Sequence, residues 1–151
     1  MRQLTVKAEE QKTQTVLVIG GTGFIGRQVV RRLSALGHRV QVFHRGRTNA
    51  WLPVGVEHIH GRRQELETHR AQFEAVQPSV VVDMKPMKEQ DTAAVIGVFA
   101  DIAERVVAIS SQDVYRAYAR YIGTEPGPPD PVPLSEDAPV RESLYPYRKE
   151  E

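Results

Sequence analysis

Val16-Leu17-Val18-Ile19-Gly20-Gly21-Thr22-Gly23-Phe24-Ile25-Gly26 decides how the rest of the chain is read. Four apolar residues run into a glycine-rich turn, and beyond it Ile25, Val29, Leu33 and Leu36 recur at helical spacing. The order is buried strand, tight turn, helix start. Gly20 permits the sharp turn off the strand. Gly23 removes the Cβ that would bar a diphosphate from the backbone, and Gly26 lets the helix press on the strand. The amides of Gly20, Gly21, Thr22, Gly23, Phe24, Ile25 and Gly26 then surround the positive end of the helix, where phosphate oxygens are favoured. A glycine pattern alone is weak; the strand before it and the amphipathic helix after it make it a dinucleotide-site pattern.

Outward from this turn the chain alternates strand and helix. Gly37 is placed to end the first helix, and a second strand covers roughly Arg39–Phe43. Dinucleotide domains carry a selector near the end of this strand, an acid for the ribose 2′-hydroxyl of NAD. No acid stands there; Arg45 does, followed by Arg47. A guanidinium suits the 2′-phosphate of NADP, so NADP is favoured over NAD, with a solvated loop as the alternative. Strand three is roughly Val56–Ile59, a polar helix runs roughly Arg63–Val76, and strand four is Ser79–Asp83. The unbroken Val80-Val81-Val82 run predicts burial on both faces, as in a parallel sheet. A helix over Glu89–Glu104 shows Val95, Phe99 and Ile102 on one face, and strand five is Val106–Ser110. The fold class is therefore α/β, a Rossmann-type doubly wound parallel sheet in the order 3-2-1-4-5 with right-handed crossovers.

Composition narrows the classes. At 151 residues the chain is long enough for one domain with its own core. It has no cysteine, which removes disulfides, thiolate metal sites and thiol nucleophiles and fits a cytoplasmic setting. A net charge of +1 gives no reason to expect nucleic-acid or membrane binding, and no apolar run approaches the ~18–20 residues of a membrane span. Residues 1–14 are polar and read as a flexible extension. His44, His58 and His60 lie close in sequence, and His58 and His60 share a strand face. Without acids or cysteines in ligand spacing they read as no metal site.

The Gly-Gly-Thr-Gly-Phe-Ile-Gly wording resembles the extended short-chain dehydrogenase/reductase group, the NAD(P)-dependent epimerase/dehydratases, over most of the chain from about Thr15. Ile109-Ser110-Ser111-Gln112-Asp113-Val114-Tyr115 resembles the Ser-Ser-x-x-Val-Tyr segment of that group. The resemblance implies that Ser111 is the active-site hydroxyl, hydrogen-bonded to the substrate oxygen whose carbon exchanges hydride; capping the next turn is its other reading. It also implies a Tyr-x-x-x-Lys pair, the tyrosine as general acid/base and the lysine lowering its pKa. Tyr145 and Lys149 satisfy that spacing. Aligning instead on the Pro146-Tyr147 pair makes Tyr147 the acid and puts Glu151 where lysine belongs.

Two departures from the group stand out. Arg62 occupies the position where many relatives have the aspartate of Gly-Asp-Arg, adding a cation beside a candidate phosphate. Asp83-Met84-Lys85-Pro86-Met87 replaces the usual His-x-Ala-Ala loop, and Lys85 is placed to reach a ribose or phosphate.

Residues 15–151 read as one NAD(P)-binding Rossmann domain, with 116–151 mostly loop. Complete relatives are about twice as long, so the carboxyl-terminal part is expected to be missing and the 151-residue chain to bind dinucleotide without turnover. Small-molecule substrates such as nucleotide sugars, and a homodimer, are what the resemblance implies for the whole protein. A non-catalytic NAD(P)-binding regulator or RNA-binding relative is the rival reading.

Overall fold

A computed structural model of the chain describes residues 12–48 and 50–143. The chain divides into two compact units, Met1–Ile109 and Ser110–Glu151.

The first unit is a five-stranded parallel sheet, with β1 Thr15–Ile19, β2 Arg39–His44, β3 Glu57–His60, β4 Val80–Asp83 and β5 Arg105–Ala108. Its order is β3-β2-β1-β4-β5, as expected from the sequence. The sheet is sorted into two cores by the two-residue period of its strands. Val16, Val18, Val40, Val42 and Val82 pack on one face with Val30 of helix α1 (Gly26–Ala35). Leu17, Ile19, Phe43 and Val81 pack on the other with Phe73 of α2 (Arg70–Val76) and Val95, Val98 and Phe99 of α3 (Glu89–Phe99). Edge-to-face Phe43–Phe73 contact at 5.5 Å and a Phe73–Phe99 contact at 4.8 Å fill the centre of the second core.

Among its described residues the connection from β2 to β3 has no helix. It lies over the α1 face, where Leu52 and Val56 join the core. Arg31 fixes it there, donating to the Trp51 carbonyl at 3.0 Å with its guanidinium 5.4 Å from the indole centre.

Some boundaries differ from the sequence reading for local reasons. The polar stretch after β3 begins as two 3-10 turns, Arg63–Glu65 and Glu67–His69, before α2 forms. Gln77, in the left-handed region at φ 48°, ends α2 ahead of Pro78. Helix α3 stops at Phe99 because the chain turns there, Ile102 and Ala103 both donating to the Phe99 carbonyl. Among the described residues the outer edge of β5 has no strand partner.

The second unit contains a 3-10 turn, Gln112–Val114, and a short helix α4, Arg116–Tyr121. The proline-rich loop after it is tied to α4 by arginines. Arg116 donates to both carboxylate oxygens of Asp130 at 2.6 and 3.3 Å. Arg120 reaches Asp130 at 3.2 Å and the carbonyls of Pro126 and Pro128. Arg141, buried at 9% exposure, donates to the Asp113 carbonyl and to Thr124.

Candidate functional site

The carboxyl ends of β1, β2, β3 and β4 lie along one edge of the sheet, and the order reverses between β1 and β4, where ligands bind in open α/β sheets. The glycine turn sits there. Gly20 leaves β1 at φ 81°, a left-handed conformation that suits glycine. A Cβ on Gly26 would lie 2.5 Å from the Gly20 carbonyl oxygen and 2.9 Å from Gly21 Cα, so the helix start is in direct contact with the strand end. A Cβ on Gly23 would meet only the Gly20 oxygen, at 3.5 Å, and otherwise open space.

The backbone supplies the charge. Among the described residues the N–H groups of Thr22, Phe24, Ile25 and Gly26 have no hydrogen-bond partner. No side chain caps α1, and its first turn holds no acid. An uncapped helix start with free amides and an open glycine is a cradle for an anionic group. Phe24 and Ile25 are exposed beside it, with Arg27 over the Phe24 ring at 5.6 Å.

The candidate cations follow the strand ends. Arg45 and Arg47 are exposed just beyond β2 and make no ion pair among the described residues. Arg62 is exposed at the start of the first 3-10 turn, its amide donating to Glu65 at 3.2 Å. Lys85 is exposed in the loop after β4.

Asp83 is a residue whose partner the sequence reading missed. It is 1% exposed at the end of β4, and Arg63 clamps it through both terminal guanidinium nitrogens, one at 2.8 Å. The Asp83 hydrogen bond raises the Arg63 pKa. The same carboxylate accepts the Lys85 amide at 3.1 Å, so the pair fixes the first turn of the loop that carries Lys85.

The histidines are also closer than their sequence spacing suggested. Parallel register sets His44 opposite His60. His44 Nε2 is 2.8 Å from His58 Nδ1. Burial, then the neighbouring His60 and His58, lower the His44 pKa below its ordinary value.

In the second unit Ser111 accepts the Asp113 amide at 3.3 Å and caps the turn Gln112–Val114. Its hydroxyl keeps a proton to donate. Tyr145, Tyr147, Lys149 and Glu151 lie outside the described residues.

Comparison with known proteins gives this arrangement its relatives. The model of the NAD dependent epimerase/dehydratase family matches residues 16–149. The chain belongs to that family.

It is 37% identical over 102 residues to the 2′-dehydrokanamycin reductase of Streptomyces kanamyceticus, an alignment covering 68% of this chain and 29% of the reductase. It superposes on the Bordetella bronchiseptica enzyme WbmG, whose crystal structure holds NAD, with TM-score 0.69 and 17% identity, over 91% of this chain and 46% of that one. It is similar too to the UDP-glucose-4-epimerase of Stenotrophomonas maltophila, solved with NAD and formylated UDP-arabinopyranose: TM-score 0.68, 18% identity, 87% and 44% coverage. At such identities the structural likeness shows the shared fold. The chain thus spans under half the length of each of these proteins. No helix among its described residues is long and apolar enough to cross a membrane.

Within this family member Asp130 ties the loop 123–139 to α4, and that anchor is pH-dependent. The Arg116 hydrogen bond, aided by the charges of Arg116 and Arg120, holds the Asp130 carboxyl below its ordinary value. A lowered carboxyl pKa adds stability above the unfolded value, about 3.9, and the contribution is lost as pH falls through the folded one. Asp130→Asn should therefore melt at a lower temperature than the wild type near neutrality. The gap should narrow as pH falls below the ordinary carboxylate range. Thermal melts followed by circular dichroism across that range check it; a gap that is constant with pH contradicts it.

Proposed function

We propose that this chain is the dinucleotide-binding part of a nucleotide-sugar-type epimerase/dehydratase and that it takes NADP. The observation carrying the proposal is the glycine turn: free amides at an uncapped helix start, with open space where a Cβ on Gly23 would stand. The residues fit the cofactor. Amides of Thr22, Phe24, Ile25 and Gly26 hold the diphosphate, with Gly20 and Gly21 shaping the turn. Arg45 and Arg47 hold the 2′-phosphate, Arg62 adds charge at the adenine end, and Lys85 meets the nicotinamide ribose. When bound, a nicotinamide supplies hydride transfer to or from a sugar carbon. Ser111 orients the substrate oxygen by donating its hydroxyl proton, and Tyr145 exchanges the proton on that oxygen while Lys149 lowers its pKa.

NADPH should bind at least about tenfold tighter than NADH, since charge-assisted bonds to the 2′-phosphate contribute about 1.5–3 kcal/mol. Arg45→Ala should erase most of that difference and leave NADH affinity in place. Titrations followed by nicotinamide fluorescence check both. Equal affinities would replace NADP by NAD; failure of either to bind would overturn the whole reading.

A second reading is favoured by the likeness to a dehydrokanamycin reductase: net reduction of a ketone on a sugar ring. The two differ in stoichiometry. An epimerase returns its hydride and consumes no cofactor, whereas a reductase oxidises one NADPH per alcohol formed. Following NADPH absorbance with the full-length enzyme, given a keto-sugar or a nucleotide sugar, separates them.

A further inference from the structure

The three histidines at the outer end of the sheet have no part in the dinucleotide reading. β2 carries His44, and the edge strand β3 carries His58 and His60. Because His44 pairs with His60 and Val42 with His58, all three rings project from the face on which α1 packs. Their centroids stand 4.7 Å (His44–His60), 5.0 Å (His44–His58) and 6.2 Å (His58–His60) apart. One ring nitrogen from each lies within 4.8 Å of the others. His44 is buried at 8% exposure, and its two partners are exposed. One buried ligand on a central-side strand and two accessible ones on the edge make a site that is preorganised yet open to solvent.

We propose that His44, His58 and His60 bind a divalent transition-metal ion of the zinc class, leaving a fourth position to water or an anion. Three imidazoles with one open position match the coordination zinc accepts, and imidazole suits zinc, copper and nickel alike. With Zn–N bonds of about 2.0–2.1 Å, neighbouring nitrogens of a tetrahedral site lie about 3.3 Å apart. The 2.8 Å His44–His58 contact therefore has to open by about half an ångström, and His60 has to close in, within the rotamer freedom of exposed side chains. The metal takes the place of the proton that His44 and His58 share.

One backbone group must respond. The Gly46 amide donates to His44 Nδ1 at 3.2 Å, so Nε2 carries the ring proton. A metal on Nε2 moves that proton to Nδ1, and the Gly46 amide must turn away. Gly46 sits at φ 71° in an exposed loop, where a glycine peptide turns with little strain. The nearby Arg45 and Arg62 disfavour a cation in general and favour an anionic fourth ligand.

The test uses the full chain without dinucleotide, so its result is independent of the cofactor reading. Titration with Co²⁺ at neutral pH in a non-coordinating buffer should give the visible bands of a four-coordinate site, saturating at one ion per chain and displaced by Zn²⁺. His58→Ala and His60→Ala should each weaken binding by at least about tenfold, and the double variant should abolish the bands. Both positions are exposed, and circular dichroism checks that the variants fold. In the wild type, Zn²⁺ should shift the imidazole NMR signals of His44, His58 and His60 and leave His38 and His69 in place. Absence of the bands, a stoichiometry other than one, or unchanged affinity in the double variant would overturn the proposal.

Discussion

Gly23→Val should lower dinucleotide affinity by at least about 100-fold, equivalent to about 2.7 kcal/mol, while the chain keeps its fold. The reason is the unusual position of this glycine. A Cβ there has a single neighbour, the Gly20 carbonyl oxygen at 3.5 Å, so the protein itself tolerates a side chain. A side chain there would stand in the same turn as the free amides of Phe24, Ile25 and Gly26, which a diphosphate must approach within hydrogen-bond reach. Gly26 provides the contrast. Its Cβ would overlap the Gly20 oxygen at 2.5 Å, so Gly26→Ala should cost fold stability as well, about 1–3 kcal/mol for an overpacked contact. Titration calorimetry with NADPH beside urea unfolding of the two variants separates the effects. A Gly23→Val chain that binds as tightly as the wild type would show that the diphosphate is held elsewhere.

Arg63→Ala should destabilise the first unit by about 3–5 kcal/mol, because it leaves the carboxylate of Asp83 buried without its counter-charge. Asp83 is 1% exposed, and Arg63 bonds both its oxygens. With domain stabilities of about 5–15 kcal/mol, that loss is a large fraction of the total. Arg63→Lys should recover only part of it, since an ammonium cannot make the paired contact. Replacing both residues, Arg63→Met with Asp83→Leu, should restore most of the stability. A loss below about 1 kcal/mol in Arg63→Ala, measured by urea unfolding near neutral pH, would contradict this account. The double variant also tests whether the pair matters to the site. Asp83 holds the Lys85 amide, so ligand affinity should fall even where stability is regained.

The sheet was legible in the sequence because each of its signals is local. Val80-Val81-Val82 announces a doubly covered strand by itself, and Val16–Ile19 running into Gly20 needs no knowledge of distant residues. The order 3-2-1-4-5 then follows from crossover handedness. What escaped depends on register between strands. Arg63 reads as the start of a polar helix, and only the assembled order β3-β2-β1-β4 brings it to Asp83. His44 reads as a loop residue, and only the β2–β3 pairing sets it beside His58 and His60. Metal-ligand spacing rules count along one segment and are blind to a cluster assembled from two. Helix α4 escaped for a different reason. Arg116–Tyr121 is too short to show a period, and it is held by Asp130 and by the Pro126 and Pro128 carbonyls beyond it.

Among the proposed site residues the glycine turn rests on backbone geometry that the structure describes in detail. Ser111 caps the turn Gln112–Val114 with a proton left to donate, as the role the family resemblance implies requires. Tyr145 and Lys149 fall outside the described residues, and their role is what the family resemblance implies.

Backbone amide NMR during addition of NADPH reaches the central claim with no intermediary. The account predicts that the N–H signals of Thr22, Phe24, Ile25 and Gly26 move downfield together and saturate on one binding curve, with the Arg45 and Arg47 signals following. If those amides stay where they are at saturating NADPH, or if the shifts gather on another part of the sheet, the glycine turn does not hold the cofactor and the functional reading fails with it.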